Sequence, residues 1–504
     1  MPESSLDASP ASERTRLFMR RHAWWATGAG LVLLSLVIVA WAGTRPGFDP
    51  YGWLVWGQQT ITGSLDTNAA PSWKPLPYLF TVPLALAGHY QVRLWMITSL
   101  AVSLSGVVFA GRIADRLVGA PRERRWAGLV AAAFAGLGIL GLSDGTQGYS
   151  HYLLSAQSDP MIVALCLGAI DCHLSERPRW ALALGVLASL GRPEVWPFLA
   201  LYMAWAWRAV PSMRRLIVAG AFLLVLLWFG IPAITARSPF VAGANALGSG
   251  RALHHDKLFG TIRRFLGLHA AIVEIIALSV VGVALWRRER TILALAAGVV
   301  VWVVLEIAFA LHGWPGLPRY MFEAGAVVVV LAAVGVGRLL AVPPAISPLA
   351  AWGGIALVVA ICAGLVPTAL SRARNERKDL RAQRARTTEI DSLGSAITKF
   401  GGAALLRTCG APLTRLEYQT ILAWQLRTNV SRVGFEFSPA IRGGEPIVLF
   451  TPTRLGWKVR ALHQRLPACR RLPRYAQPSA RQMRGRAATP GPAAPGRRRR
   501  SSSG

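Results

Sequence analysis

The feature that most constrains this chain is an uninterrupted run of 22 uncharged residues, Ala23 to Thr44. At 1.5 Å per residue such a run makes a helix of roughly 33 Å, enough to cross a hydrocarbon core of ~30 Å. Further apolar runs follow, 53% of the 504 residues are hydrophobic, and the mean hydropathy of +0.40 lies well above that of a soluble domain. Backbone polar groups in lipid must be bonded within the protein, so the expected fold class is α, a polytopic helical membrane protein.

Apolar runs at 23–44, 94–111, 126–143, 158–175, 180–191, 195–207, 216–236, 265–286, 291–311, 319–340 and 349–370 predict about eleven spans. Arg14, Arg16, Arg20 and Arg21 precede the first, so residues 1–22 are expected in the cytoplasm with the first span as an uncleaved anchor. The turns then assigned to the cytoplasm, such as GRIADRLVGAPRERRW, hold more Arg and Lys than the outer ones, in keeping with that orientation. The membrane domain is expected over 23–371, with two long outer loops at 45–92 and 237–264. An odd span count puts residues 372–475 outside as a small α/β appendage. It reads as a helix over 372–400, then an apolar helix (EYQTILAWQL) and strand-like VGFEF and PIVLF. Arg372, Arg374, Arg377 and Lys378 run against this placement, but long domains cross largely regardless of charge. Cys409 and Cys469 make sense there as a disulfide in an oxidising compartment. Residues 476–504 are dominated by Pro, Ala, Arg and Ser, a disordered basic tail.

A net charge of +31 raises the question of nucleic acid. Only five of the 55 basic residues are Lys, a usage typical of a GC-rich genome, and they are scattered over short loops and the tail with no basic groove or stacking motif, so nucleic acid is excluded as a partner. No Cys or His spacing fits a metal site.

The first outer loop, RPGFDPYGWLVWGQQTITGSLDTNAAPSWKPLPYLFTVPLALAG, is far longer than a connector needs to be. It holds Asp49, Lys74 and the tryptophans Trp53, Trp56 and Trp73, which serve either as interfacial anchors or as platforms for a sugar. Its YLFTVPLALAG segment is too short to cross and reads as an interfacial helix. The short spans 180–191 and 195–207 meet at Gly191-Arg192-Pro193-Glu194, a hairpin tip expected in a protein-lined cavity near the outer face. Asp49, Asp159, Arg192, Glu194, Arg319 and Glu323 all fall at that face, and ionisable groups at membrane depth are functional candidates by default. Arg319 and Glu323, four apart, equally suit a structural ion pair on one helix. Glu274 and Glu306, within spans, read as structural. The second outer loop brings Arg251, His254, His255, Lys257, Arg263 and Arg264; the adjacent histidines face different ways and suit a mobile loop closing over an anion better than a shared metal.

Phe48-Asp49-Pro50-Tyr51 just after the first span, then Trp73-Lys74-Pro75-Leu76-Pro77-Tyr78, resembles the first outer loop of the GT-C glycosyltransferases, polytopic enzymes that use polyprenyl-phosphate sugars, among them protein O-mannosyltransferases and lipid A aminoarabinose transferases. Ser158-Asp159-Pro160 is similar to the second acidic motif of many members, and Gly-Leu-Pro-Arg-Tyr at 316–320 to their late Arg-Tyr, so the likeness spans about residues 24–370. The resemblance implies a GT-C-like fold and an inverting transfer of a sugar from a polyprenyl-phosphate donor to a glycan, lipid or protein acceptor of the cell envelope. It implies Asp49 as base, with Asp159 the second catalytic acid. Lys74, Arg251, His254, Lys257, Arg319 and Tyr320 would hold the donor phosphate, and Trp53, Trp73, Arg192 and Glu194 would line the pocket. No cofactor is required, although some members use a divalent cation that Asp49 and Asp159 could share. Two other readings are a transporter or lipid flippase, which usually shows two related halves that are not evident here, and an inactive scaffold.

Overall fold

In the computed structural model, which describes residues 10–247, 253, 255–342, 347–437, 443–453, 456–463 and 465–473, a helix lies over every apolar run. The first half comprises α1 (Pro10–Ala42), α2 (Phe48–Ile61), α3 (Pro75–Ala85), α4 (Gln91–Val118), α5 (Arg125–Leu140), α6 (Tyr149–Leu154), α7 (Asp159–Leu174), α8 (Pro178–Ser189) and α9 (Trp196–Ala209). The second comprises α10 (Arg214–Val225), continued by a π turn into α11 (Ile231–Thr235), then α12 (Val241–Leu247), α13 (Lys257–Leu266), α14 (Ala271–Arg287), α15 (Arg290–His312), α16 (Phe322–Ala341) and α17 (Pro348–Lys399). Among the described residues six helices are long and apolar enough to cross a membrane, or seven if α13 and α14, bent by 94°, form one span. The other four expected spans are α5, α7, α8 and α9, of 16, 16, 12 and 14 residues. They fall short of the ~20 residues a full crossing needs.

Helix α16 is the axis of the bundle. Its sequence, FEAGAVVVVLAAVGVGRLLA, is small and apolar on all sides, as a helix enclosed by others must be, and it packs against α4, α5, α7, α14, α15 and α17. The outer loop is equally enclosed. Trp53, Trp56, Trp73 and Trp95 are at most 1% exposed and form one aromatic core with Tyr78. Both expectations for the loop tryptophans, membrane anchor and open sugar platform, are therefore corrected: α2 and α3 fold back on each other too closely. A Cβ at Gly57 would stand 2.4 Å from the Thr81 carbonyl.

The expected last span and the expected helix at 372–400 are one 52-residue helix, α17, opened by the Ser347 side chain accepting from the Ala350 amide. At roughly 78 Å it is more than twice the hydrocarbon thickness. Beyond it, α18 (Gly402–Thr408), β1 (Ala411–Leu413), α19 (Gln419–Leu426), β2 (Ile447–Thr453) and β3 (Gly456–Leu462) make the appendage. The sheet order is β1-β2-β3, with β1 parallel and β3 antiparallel to β2. Cys409 and Cys469 are bonded. PIVLF is a strand as expected, but VGFEF is not: only Gly434 bridges to Leu413, Phe435 is 40% exposed, and the Gln419 amide takes up the Val430 and Val433 carbonyls.

Arginines of α17 fix which end of the bundle the appendage shares. Arg384 donates to the Trp41 and Ala42 carbonyls at the end of α1, Arg386 to Pro46, and Arg372 to Gly141 after α5 and to Leu268. The appendage then closes on the first outer loop: Arg45 pairs with Asp391 at 2.9 Å, the Thr420 hydroxyl donates to the Phe48 carbonyl at 2.7 Å, and the Gln59 amide donates to Asn429 at 2.5 Å. Loop and appendage thus stand on one side and the α7–α8 turn on the other. With Cys166, Cys172 and Cys362 replaced, cysteines introduced as Ser64→Cys and Arg415→Cys should react with an impermeant maleimide in the same preparation, intact cells or inverted vesicles, and Arg179→Cys in the other. Labelling of position 179 together with 64 contradicts this arrangement.

Candidate active site

Five charged residues each adjoin a proline at the start of a helix or 3-10 turn: Asp49 before Pro50, Lys74 before Pro75, Asp159 before Pro160, Arg192 before Pro193, and Arg319 after Pro318. Proline holds the preceding residue extended, as Lys74 (φ −141°, ψ 113°) and Arg192 (φ −149°, ψ 133°) are, so their side chains leave at a fixed angle as the helix starts. Asp49 and Asp159 lie in the first turns of α2 and α7, where the free amides of the helix favour a carboxylate. The Leu76 amide donates to the Leu190 carbonyl at 2.9 Å, which ties the Lys74 corner to the tip of the α8–α9 hairpin.

These corners converge, with acids and cations alternating inward from the surface. The Asp49 side chain, 24% exposed, lies 3.8 Å from the Arg319 guanidinium, 15% exposed. Arg319 also lies 4.0 Å from Asp159, and Asp159 is in direct contact with Arg192. Both are buried, and Arg192 continues to Glu194 at 3.5 Å and Glu323 at 3.3 Å. Three aromatic rings pack the cations: Arg192 lies 4.4 Å from the centroid of Tyr320, Arg319 5.8 Å from that of Tyr152, and Lys74 5.9 Å from that of Trp53. The Lys74 ammonium donates to the Ser158 hydroxyl at 3.4 Å, next to Asp159. The hairpin tip is buried, with Arg192 2% and Glu194 3% exposed.

Asp49, Asp159, Lys74, Arg192, Glu194, Arg319 and Tyr320 are therefore brought together. Trp53 joins them only as the floor beneath Lys74, while Trp73 is core, its indole donating to the Leu227 carbonyl at 3.0 Å. Lys257 is not brought in: it donates to the Leu311 carbonyl. Arg251 and His254 lie outside the described residues. Arg263 is paired with Asp256, and Arg264 donates to the Pro315 and Gly316 carbonyls, where it braces the turn that presents Arg319. The expected Arg319–Glu323 pair is replaced by Arg319 with Asp49 and Asp159, and Glu323 with Arg192. Arg319 stands in a 3-10 turn before α16, so the two do not share an α-helical face. Sequence reasoning missed Ser158 and Tyr152. Both lie in the outer loop before α7, where only the acids drew notice.

A cation shared by Asp49 and Asp159 does not fit this arrangement, because the Arg319 guanidinium contacts both carboxylates. Among the described residues no cluster of three His, Cys, Asp or Glu is placed to hold a metal ion.

Arg192 is the hinge of this network, and removing it leaves Asp159, Glu194 and Glu323 buried with far less compensation. Arg192→Gln should lower stability by about 3–5 kcal/mol, read as a lower thermal midpoint in detergent micelles. An unchanged midpoint contradicts the assignment.

No family model matches the chain, and no curated protein matches it in sequence. Two solved structures of ArnT from Cupriavidus metallidurans are similar to it. The apo form is 14% identical over 86% of this chain and 94% of that one, with a TM-score of 0.47. The form bound to undecaprenyl phosphate is 15% identical over the same shares, with a TM-score of 0.50. At such identities the likeness is one of fold: the chain has an ArnT-like polytopic helical architecture with a small α/β unit at its C-terminal end.

Proposed function

We propose that this protein is a membrane glycosyltransferase that moves a sugar from a polyprenyl-phosphate donor to a hydroxyl of a cell-envelope acceptor, on the side of the membrane away from the cytoplasm. The observation behind this reading is an accessible carboxylate, Asp49, beside the Arg319 guanidinium at the end of a buried ion network, with the Lys74 ammonium donating to Ser158 next to Asp159. The ArnT-like fold supports it, and one ArnT structure contains undecaprenyl phosphate. Asp49 accepts the acceptor's hydroxyl proton, the oxygen attacks C1 of the donor sugar, and the C1–O bond to phosphate breaks with inversion. The leaving polyprenyl phosphate carries the displaced electron pair toward Lys74 and Arg319. Asp159 is too enclosed to reach an acceptor; it positions the two arginines. The N-terminus is then cytoplasmic, and the appendage shares the outer side with Asp49.

Asp49→Asn keeps size and hydrogen bonding but cannot take the proton. In nanodiscs, release of polyprenyl phosphate from lipid-linked sugars should fall by ~10²-fold or more while donor binding persists. Wild-type turnover would remove Asp49 from the mechanism, and absence of release from any lipid-linked sugar by the native protein would favour a transporter.

Lys74 gives a pH test. Burial pulls its ammonium below the usual lysine value, Asp159 opposes the shift, and Arg192 and Arg319 add to it. The group loses its proton at a lower pH than an exposed lysine, whose value is near 10.4. Binding of polyprenyl phosphate should therefore weaken on the alkaline side below that value. Lys74→Arg, charged throughout, should push the limb to higher pH; an unshifted limb assigns it to another group.

A further inference from the structure

A cavity lies apart from the ion network, between α2 and the appendage. It encloses about 870 Å³, within the roughly 300–1,000 Å³ of ligand clefts. Tyr51, Val55, Gln58, Gln59 and Thr62 line it from one stripe of α2, and Asp49 points about 200° away from Tyr51 at 100° per residue. The cleft runs from Arg45 and Tyr51 at one end of α2 to Thr62 and Ser64 at the other, roughly 20 Å by helical rise. A ligand that fills it is extended, and one end of it lies four residues from Asp49.

The lining has the chemistry of a sugar chain's partner. A pyranose presents an apolar C–H face and a rim of hydroxyls that donate and accept. The opposite wall offers the half-buried indole of Trp424, held against Tyr51 with centroids 6.3 Å apart, as a surface for that face. Side-chain amides both donate and accept; those of Gln58 and Gln425 line the cleft and, among the described residues, bond to no other group of the chain. Gln59 and Asn429, by contrast, are bonded to each other and hold the walls together, as do Arg45 and Asp391. Since Asp391 is thus engaged, the remaining charges are Arg93 and Arg427 at the rim, exposed and without an ion pair among the described residues.

We propose that this cleft binds an acidic oligosaccharide, the glycan portion of the acceptor. The acceptor role rests on the glycosyltransferase reading; the binding site does not. Full-length protein in nanodiscs should bind hexagalacturonate in calorimetry, more weakly as salt rises, and more tightly than neutral maltohexaose. The double variant Arg93→Gln/Arg427→Gln should lose at least tenfold in affinity, and so should Trp424→Ala, whereas Asp49→Asn should bind as the native chain does. No binding of hexagalacturonate at millimolar concentration, or equal binding by the double variant, overturns the site; equal affinity for maltohexaose overturns its acidic preference. If the oligosaccharide binds as expected but no lipid-linked sugar releases polyprenyl phosphate, the cleft stands and the glycosyltransferase reading fails. If release occurs without oligosaccharide binding, the converse holds.

Discussion

The buried guanidinium of Arg192 is the interaction on which the outer half of the molecule depends. Desolvating a charge in this setting costs several kcal/mol unless it is paired, and Arg192 meets Asp159, Glu194 and Glu323. Those partners come from α7, the hairpin tip and α16, so satisfying one cation locks three otherwise independent segments in register. α16 is also the most enclosed helix of the bundle. The site is thereby anchored to the most enclosed of the candidate spans, and rigid support of that kind is what a precisely placed site requires.

The second device is local. Asp49, Lys74, Asp159, Arg192 and Arg319 each adjoin a proline at the opening of a helix or turn, a position where proline's missing amide is no loss. Short helices such as α7 and α8, too brief to cross a bilayer alone, make sense as supports that end where a charged side chain must emerge. The N-terminal end of α7 and the C-terminal end of α8 meet at the cluster, and irregular backbone is tolerated there because protein, not lipid, surrounds it.

This explains what was legible in the sequence. Charge beside proline after an apolar run survives as a linear signal, so Asp49, Lys74, Asp159, Arg192 and Arg319 were identifiable. The partner of each was not, since pairing is decided in three dimensions: Glu323 looked like a neighbour of Arg319 by spacing, but a 3-10 turn rotated Arg319 onto Asp49. Tryptophan burial was also hidden, because a Trp-rich outer loop reads the same whether it lies on lipid or folds upon itself. PIVLF was readable as a strand from its continuous apolar run; VGFEF had the alternation of one, but only Val433 and Phe437 pack inward while Phe435 is exposed, and no ladder forms.

Helix α17 takes one of the cations after the last span into its packing. Of the four cations there, Arg372 donates to the Gly141 and Leu268 carbonyls while Arg374, Arg377 and Lys378 are exposed; further along, Arg384 and Arg386 donate to the Trp41, Ala42 and Pro46 carbonyls. Helix C-termini carry unsatisfied carbonyls and partial negative charge, so guanidinium groups are favourable there. The positive-inside rule weighs charges as though they were loose in short loops, whereas Arg372, Arg384 and Arg386 are part of the packing. Thr420 and Asn429 join the appendage to α2, so that one helix is shared between an ion network on one side and a polar cleft on the other. Neither wall of that cleft could be inferred from its own stretch of sequence, since α2 and α19 lie at opposite ends of the chain and only the extended α17 brings them together.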